Sequence, residues 1–363
     1  MNNIPKTISI YLIKEFTNNI IIFFFIFLSL VLLLTFVQEL IFFKGQDLGE
    51  NFYLNVFILS MVQAPSLVIT MSPFIILFAS IFFYTKLINN NETTPVKLSG
   101  LSNNFLMIIP SFYSMIIGVF LVLILSPFSS ELSRFYESTK RSYAKNTNLI
   151  VMSNTGIWLK EKTDKNIYII RADTANEKKF ENLKNINIYK FDLSNNFEKR
   201  IDAELAEFKK LEWHLKNAQI STNTSNNYVK KYIHPSNINL EEIKNFFINS
   251  QVFSIWNITD ELKKMKERGY YGQEVIITLN KYLSLPFFLF ALTSLSTIFT
   301  LKLNIRFSNF SYIFISILIG ILIYFLADLS IALGKSGKIP LPLSVWFPVI
   351  IIMTIPIYSL LNE

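Results

Sequence analysis

The sequence predicts an α-helical integral membrane protein, with six transmembrane helices arranged three plus three around an inserted β-rich domain. Three observations predict it. Six runs of the chain carry no charged residue and are long enough to cross a bilayer. Most of the remaining charge is concentrated in one central stretch, and parts of that stretch alternate apolar and polar residues as strands do.

The charge-free runs cover residues 16–38, 51–85, 98–130, 282–301, 307–327 and 339–362. About 20 apolar residues at 1.5 Å each cross a hydrocarbon layer of roughly 30 Å. No water is available there for backbone N–H and C=O groups, so each run reads as a helix. The two longest, 51–85 and 98–130, read as one span each plus an interfacial or loop portion. The first run exceeds the roughly 7–15 apolar residues of a secretory signal and lacks a small-residue cleavage site, so it reads as a permanent span.

The central stretch, 131–275, holds 24 of the 34 Lys and Arg and 19 of the 26 Asp and Glu. That is a balance of +5 within an overall +8, and it divides the chain into 1–130, 131–275 and 276–363. Its lysines come in pairs, such as Lys209 with Lys210 and Lys230 with Lys231, as on a solvated face; a nucleic-acid surface would be denser. The absence of Cys excludes disulfides and thiolate metal sites, and His214 and His234 are too few for dedicated zinc chemistry. No metal or other cofactor is expected. Both histidines read as surface or satisfied residues.

Orientation follows from Lys and Arg in the short loops. Lys6, Lys14, Lys86, Lys97, Lys302 and Arg306 lie on the side of the termini, against Lys44, Lys335 and Lys338 opposite. Six against three puts the termini in the cytoplasm and the central domain outside it.

Strands are expected at 166–172, 185–191, 200–208 and 212–220, rich in Ile, Tyr, Phe and Trp and separated by Asn/Ser turns. In "RIDAELAEF" (200–208), Ile201, Ala203 and Leu205 share one face and Asp202 and Glu204 the other. Helical patterns bracket the strands. Leu132, Phe135, Thr139 and Tyr143 form one stripe in 130–145, and Thr259 caps a helix that Gly269 stops.

No catalytic constellation is present. "GKSGK" (334–338) lacks the earlier glycine of a phosphate loop and reads as a turn. Glu39 and Asp328 each end a charge-free run. A charge inside a bilayer costs about 2.5–3.5 kcal/mol, so each faces a cavity or partner, or else sits at the interface. No span clearly buries several charges, which argues against ion-coupled transport. Prolines 65, 73, 286, 340, 342, 348 and 356 lie in or beside spans, and the Phe-rich walls suit an acyl-chained substrate better than an ion.

The segment 87–102, "LINNNETTPVKLSGLS", holds more than a connecting turn needs. Thr93 or Thr94 can cap a short helix, Pro95 suits its first turn and Gly100 its end. Val96 and Leu98 supply apolar contacts, with Glu92 and Lys97 at the rim. Such a helix suits either a docking contact for a soluble motor or a segment lying on lipid headgroups.

In this order, "ETTPVKLSGLS" (92–102), "SNTGIWLKE" with "NIYIIRAD", "LKKMKERG" with "LNKYLSLP", and "GKIPLPLSVWFP" (337–348) resemble the lipopolysaccharide-export permeases of the LptF/LptG family along nearly the whole chain. "GIWLK" and "NTNLIVMSNTG" are closer to the LptG branch. The resemblance implies a non-catalytic permease subunit of an ABC exporter in the bacterial inner membrane, with a β-jellyroll-like periplasmic domain. It implies a second six-span permease, LptF, and a dimer of the ATPase LptB as partners. LptC and a periplasmic LptA bridge would receive the lipid. By the same resemblance, Glu92, Pro95, Val96, Lys97, Leu98, Ser99 and Gly100 match the ATPase-docking coupling helix, although the family pattern is apolar where Pro95 stands. "TFVQEL" matches the lateral-gate segment, which brings Thr35, Phe36 and Glu39 into the substrate path. Some relatives carry a lysine where this chain has Thr35, so Lys44 is the nearest cation. Lys335, Lys338 and Asp328 complete the candidates. A permease for another lipid or lipoprotein, and a non-transport sensor or scaffold, remain the alternatives.

Overall fold

A computed structural model describes residues 6–44, 51–98, 102–143, 149–153, 156–162, 166–176, 179–192, 196–209, 212–222, 225–236, 252–267, 272–302 and 309–361. Residues 1–139, 251–257 and 276–363 form one compact unit, and 140–250 with 258–275 form a second.

The helices are α1 (Lys6–Phe43), α2 (Phe52–Asn89), α3 (Thr93–Leu98), α4 (Asn103–Phe120), α5 (Ser126–Tyr143), α6 (Ile258–Glu267), α7 (Gln273–Thr297), α8 (Asn309–Lys335) and α9 (Leu341–Leu361). A π-helical stretch, Leu121–Leu125, joins α4 to α5 in one long rod, and another, Ile298–Lys302, ends α7. Six of these rods are long and apolar enough to cross a membrane. The run 51–85 has no loop portion: α2 is one helix of 38 residues, because Lys86 does not end it and an Asn turn does. The helices continue through Pro65, Pro73, Pro110, Pro286, Pro348 and Pro356.

Helix α2 is the centre of the helical unit. Of its most apolar window 61% is buried within the unit, against 11% for α1 and 17% for α8. Leu77 and Ile81 of α2 pack with Ala291, Leu292 and Leu295 of α7, Ile323 of α8 and Ile352 of α9. Where helices approach closely, small residues face each other, since lipid tails provide no hydrophobic drive between helices. A Cβ on Gly118 would lie 2.7 Å from the Pro286 Cα, and one on Gly334 would lie 2.4 Å from the Ser344 Oγ.

On α5 the expected stripe is not the buried side: Leu132 and Thr139 on it are half-buried. Ser126, Ser129, Ser130, Ser133 and Tyr136 are buried, while Phe135 is exposed. Against lipid, hydroxyls turn to neighbouring helices and large apolar groups turn out. "GKSGK" is a helix stop: Gly337 (φ 78) donates to the Gly334 carbonyl and Lys338 to the Leu333 carbonyl, the paired bonds of a Schellman cap.

In the second unit, α6 begins one residue before Thr259, which therefore lies in its first turn; Gly269 is outside the described residues. Seven strands form one antiparallel sheet in chain order: β1 (Leu149–Ser153), β2 (Gly156–Lys162), β3 (Asn166–Asn176), β4 (Lys179–Asp192), β5 (Phe197–Lys209), β6 (Glu212–Thr222) and β7 (Asn226–Pro235). Their apolar face holds Ile170, Ile188, Ile201, Trp213, Leu215 and Ala218. The sheet rolls up. His234 on β7 meets Tyr168 on β3 edge-on at 4.7 Å between centroids, although three strands separate them in the sheet.

Two expectations change here. Leu205 does not share the face of Ile201 and Ala203: it is exposed and Ala206 is buried instead. Asn185 (φ 49) and Asn217 (φ 55), on the strands flanking Glu204, take left-handed conformations that shift the alternation by one residue. His234 is neither a surface residue nor satisfied. It is buried, its ring packs on Tyr168, and among the described residues its Nε2 has no hydrogen-bond partner. Burial pushes its pKa down to about 4, with the Lys199 charge adding to the effect.

Candidate functional site

The segment after α2 is built by three asparagines and a glutamate. Asn91 adopts φ 56, a conformation that asparagine tolerates better than most residues. The Asn91 N–H donates to the Ile88 carbonyl (3.0 Å) and the Glu92 N–H to the Leu87 carbonyl (2.9 Å), which closes α2 as a Schellman cap. The chain then reverses into α3, which starts at Thr93. Thr93 and Thr94, expected as caps, lie inside its first turn, and Glu92 stands immediately before the helix. Pro95 is the third helical residue, where its missing N–H has no intrahelical bond to lose.

Both carboxylate oxygens of Glu92 are engaged. The Tyr11 hydroxyl of α1 donates to Oε2 at 2.7 Å, and the Asn90 side-chain amide donates to Oε1 at 2.9 Å. One turn along α1, Glu15 forms an ion pair with Lys86 of α2. Val96 packs against an apolar cluster that includes Leu12 and Phe16 of α1 and Tyr84 and Leu87 of α2. Leu98 is 83% exposed. Helix α3 therefore has one side fastened to the bundle and an apolar residue on its free side. Lys97 is the fifth residue of α3; Ser99 and Gly100 lie outside the described residues.

The substrate-path candidates fall into two groups. Thr35 and Glu39 of α1 are buried. The Thr35 hydroxyl donates to the carbonyls of Val31 (2.8 Å) and Leu32 (3.1 Å) of its own helix. Glu39 accepts a hydrogen bond from the Tyr136 hydroxyl of α5. Phe36 sits edge-on to Phe57 of α2 at 6.1 Å, and Lys44 is exposed just past the end of α1. Asp328 and Lys335 are exposed on α8, and Lys338 is exposed in the turn to α9. Helix α2 packs against both α1 and α8, the helices that carry the two groups.

Sequence reasoning missed Tyr11, Glu15 and Tyr136. Tyr11 and Glu15 are spaced by four, so they share a helix face beside the apolar Leu12 and Phe16, which is a readable amphipathic signal. It also missed a buried hydroxyl seam. The Thr293 hydroxyl of α7 donates to the Ser114 hydroxyl of α4 (3.0 Å) and accepts from Ser80 of α2 (3.3 Å). Ser294 donates to Ser111 at 2.9 Å. "SFYSMIIG", with Ser111, Ser114 and Gly118 on nearly one face, was the available sign.

None of these groupings pairs a nucleophile with a base, and among the described residues no three His, Asp or Glu gather as a metal would require. Their chemistry is that of attachment and packing. A family profile described as lipopolysaccharide export system permease LptF/LptG matches residues 10–362. No curated protein matches the chain.

Proposed function

Because the chain belongs to the LptF/LptG family of lipopolysaccharide-export permeases, multi-pass inner-membrane proteins that work with other Lpt proteins, we propose that its α3 segment docks a motor ATPase. The chain is a non-catalytic transport subunit. In this reading it is the LptG-like half of an ABC exporter, paired with LptF, and two LptB subunits bind on the cytoplasmic side. The termini are cytoplasmic and the β unit is periplasmic. Lipopolysaccharide leaves the inner membrane and passes to LptC and the LptA bridge.

One observation carries the proposal: α3 is fastened to the bundle through Val96 and Glu92 while Leu98 stands 83% exposed on its free side. A segment lying in headgroups would also expose Leu98, and only the docking reading expects Leu98→Asp to release the ATPase. The outward apolar faces of α1 and α8 form one wall for acyl chains, which are held by removing apolar surface from water. Phe36 belongs to that wall; Lys44, Lys335 and Lys338 attract the anionic headgroup at its rim, and Asp328 lies near it on α8. Thr35 and Glu39 reach the path only as α1 moves.

Leu98→Asp tests the docking. Placing a charge in a buried contact should cut co-purification of the ATPase by more than about tenfold. Retention of the ATPase at wild-type levels would sink the reading. Lipid co-purified with the complex tests the cargo: consistent enrichment of another lipid class would reassign it.

A further inference from the structure

We infer that residues 252–257 form a re-entrant strap, which dips to the edge of the hydrocarbon layer and seats the Trp256 ring against lipid acyl chains. The inference stands apart from the docking reading. In chain order the strap follows the strands and precedes α6. Residues 251–257 nevertheless belong to the helical unit, while 140–250 and 258–275 belong to the other. The chain thus returns to the helical unit for a few residues and leaves it again.

The contacts of the strap descend along the third span, the rod made by α4, its π-helical stretch and α5. The Arg134 side chain donates to the Val252 carbonyl (3.3 Å) and the Ile255 N–H to the Ser126 hydroxyl (3.2 Å). Lowest of all, the Trp256 indole N–H donates to the Leu123 carbonyl (3.1 Å). Leu123 lies eleven positions before Arg134, a drop of about 16 Å at 1.5 Å per residue. Counted from Asn103, where α4 begins, about 20 residues of rise end near Leu123, where the hydrocarbon layer ends. Helix α7 gives the same level. Tyr282, the first residue of its charge-free run, donates to the Phe253 carbonyl at 3.2 Å.

Backbone outside a helix is tolerated at that depth only where its polar groups are met from within the protein. The strap follows this rule. In addition to the bonds above, the Ser254 N–H donates to the Asn257 side-chain oxygen (2.8 Å), and the Asn257 N–H donates to the Ser254 carbonyl (3.2 Å). Adjacent side chains then part. Ile255 packs into an apolar cluster with Ile69 and Ile76 of α2, Val122 of the third span and Leu289 of α7. Trp256 stays 65% exposed. Its one polar atom is spent inward on Leu123, so the ring offers only apolar surface outward. Phe120, Ile124 and Phe128 are exposed on the same stretch of the third span, and the ring continues that lipid-facing surface. Tryptophan at this level is a common membrane anchor.

The test uses the full chain with the subunits that purify with it, in phospholipid nanodiscs. The chain has no cysteine, so Trp256→Cys gives it a single thiol for a nitroxide label. Oxygen should relax that label more than a water-soluble nickel chelate does, as at Ile124→Cys, which serves as the lipid reference. The order should reverse at Glu131→Cys, whose position is 72% exposed beyond the hydrocarbon layer. A label at 256 that behaves as at Glu131 places the ring in water and overturns the inference. A label shielded from both reagents places a protein partner there and overturns it equally. Because Trp256→Cys also removes the bond to Leu123, a second measurement keeps the native ring. Phospholipids with brominated acyl chains should quench the tryptophan emission of the unlabelled protein, and Trp256→Phe should cut that quenching by about half or more. Quenching unchanged in Trp256→Phe would show that the ring does not meet acyl chains.

Discussion

Helix α5 and strand β5 sort their residues in opposite ways. On α5, Ser126, Ser129, Ser130 and Ser133 face inward and Phe128 and Phe135 face out. On β5, Ile201, Ala203, Ala206 and Phe208 face inward, and charged Lys and Glu line much of the other side. The surroundings make the difference. Around the sheet there is water, so burying apolar surface drives the roll closed. Around the helices there is lipid as apolar as leucine, so helices join through close approach and hydroxyl hydrogen bonds instead.

The largest test of that contrast is Trp213→Ala. Trp213 is 1% exposed and meets Phe208 edge-on at 4.6 Å between centroids, so its loss should destabilise the β unit by about 3–5 kcal/mol, read as a lower thermal midpoint. An unchanged midpoint would mean the sheet is not held by its apolar face. Acid comes next. His234 has a folded pKa of about 4 against the ordinary 6.5, so the folded state binds fewer protons than the unfolded chain between those values. Stability is then full above pH 6.5 and lost as pH falls towards 4, by about 2 kcal/mol at pH 5. His234→Phe should flatten that slope in denaturation curves, and an identical slope would count against the burial of the ring.

In the helical unit, Gly118→Leu forces a side chain against Pro286 and should cost about 1–3 kcal/mol, seen as a lower midpoint in detergent. The smallest effect belongs to Leu33→Ala. Leu33 is 64% exposed on α1, and truncating it should move the midpoint by under about 0.5 kcal/mol. A loss comparable to Trp213→Ala would show that the outward face of α1 is a core in disguise.

The spans were legible because a bilayer admits only uncharged, helical rods of sufficient length. Four strands were legible through their Ile, Tyr and Phe content. Strand β7 was not, because Tyr228, Lys230 and Lys231 are exposed on a sheet edge and the residues after Asn226 give no clean alternation. Leu205 was misplaced because the left-handed Asn185 and Asn217 act on its face from neighbouring strands. At the candidate site, the short helix was readable from its threonines, proline and glycine, although its start was not. Glu92, Lys86 and Glu39 are joined to partners 81, 71 and 97 positions away, pairings that only the folded helices create.

The π-helical stretch at Leu121–Leu125 adds one residue to the third span beyond what an α-helix of that rise would use. At 3.6 residues per turn, one residue is about 100° of rotation. Everything beyond it is thereby rephased relative to α4. The seam residues Ser111 and Ser114 lie before the offset, and Tyr136, which meets Glu39, lies after it. Deleting Leu123 would restore a regular helix and swing Tyr136 off its partner without altering either side chain. The extra residue works as a spline: it sets which way the outer half of the rod faces, independently of the inner half.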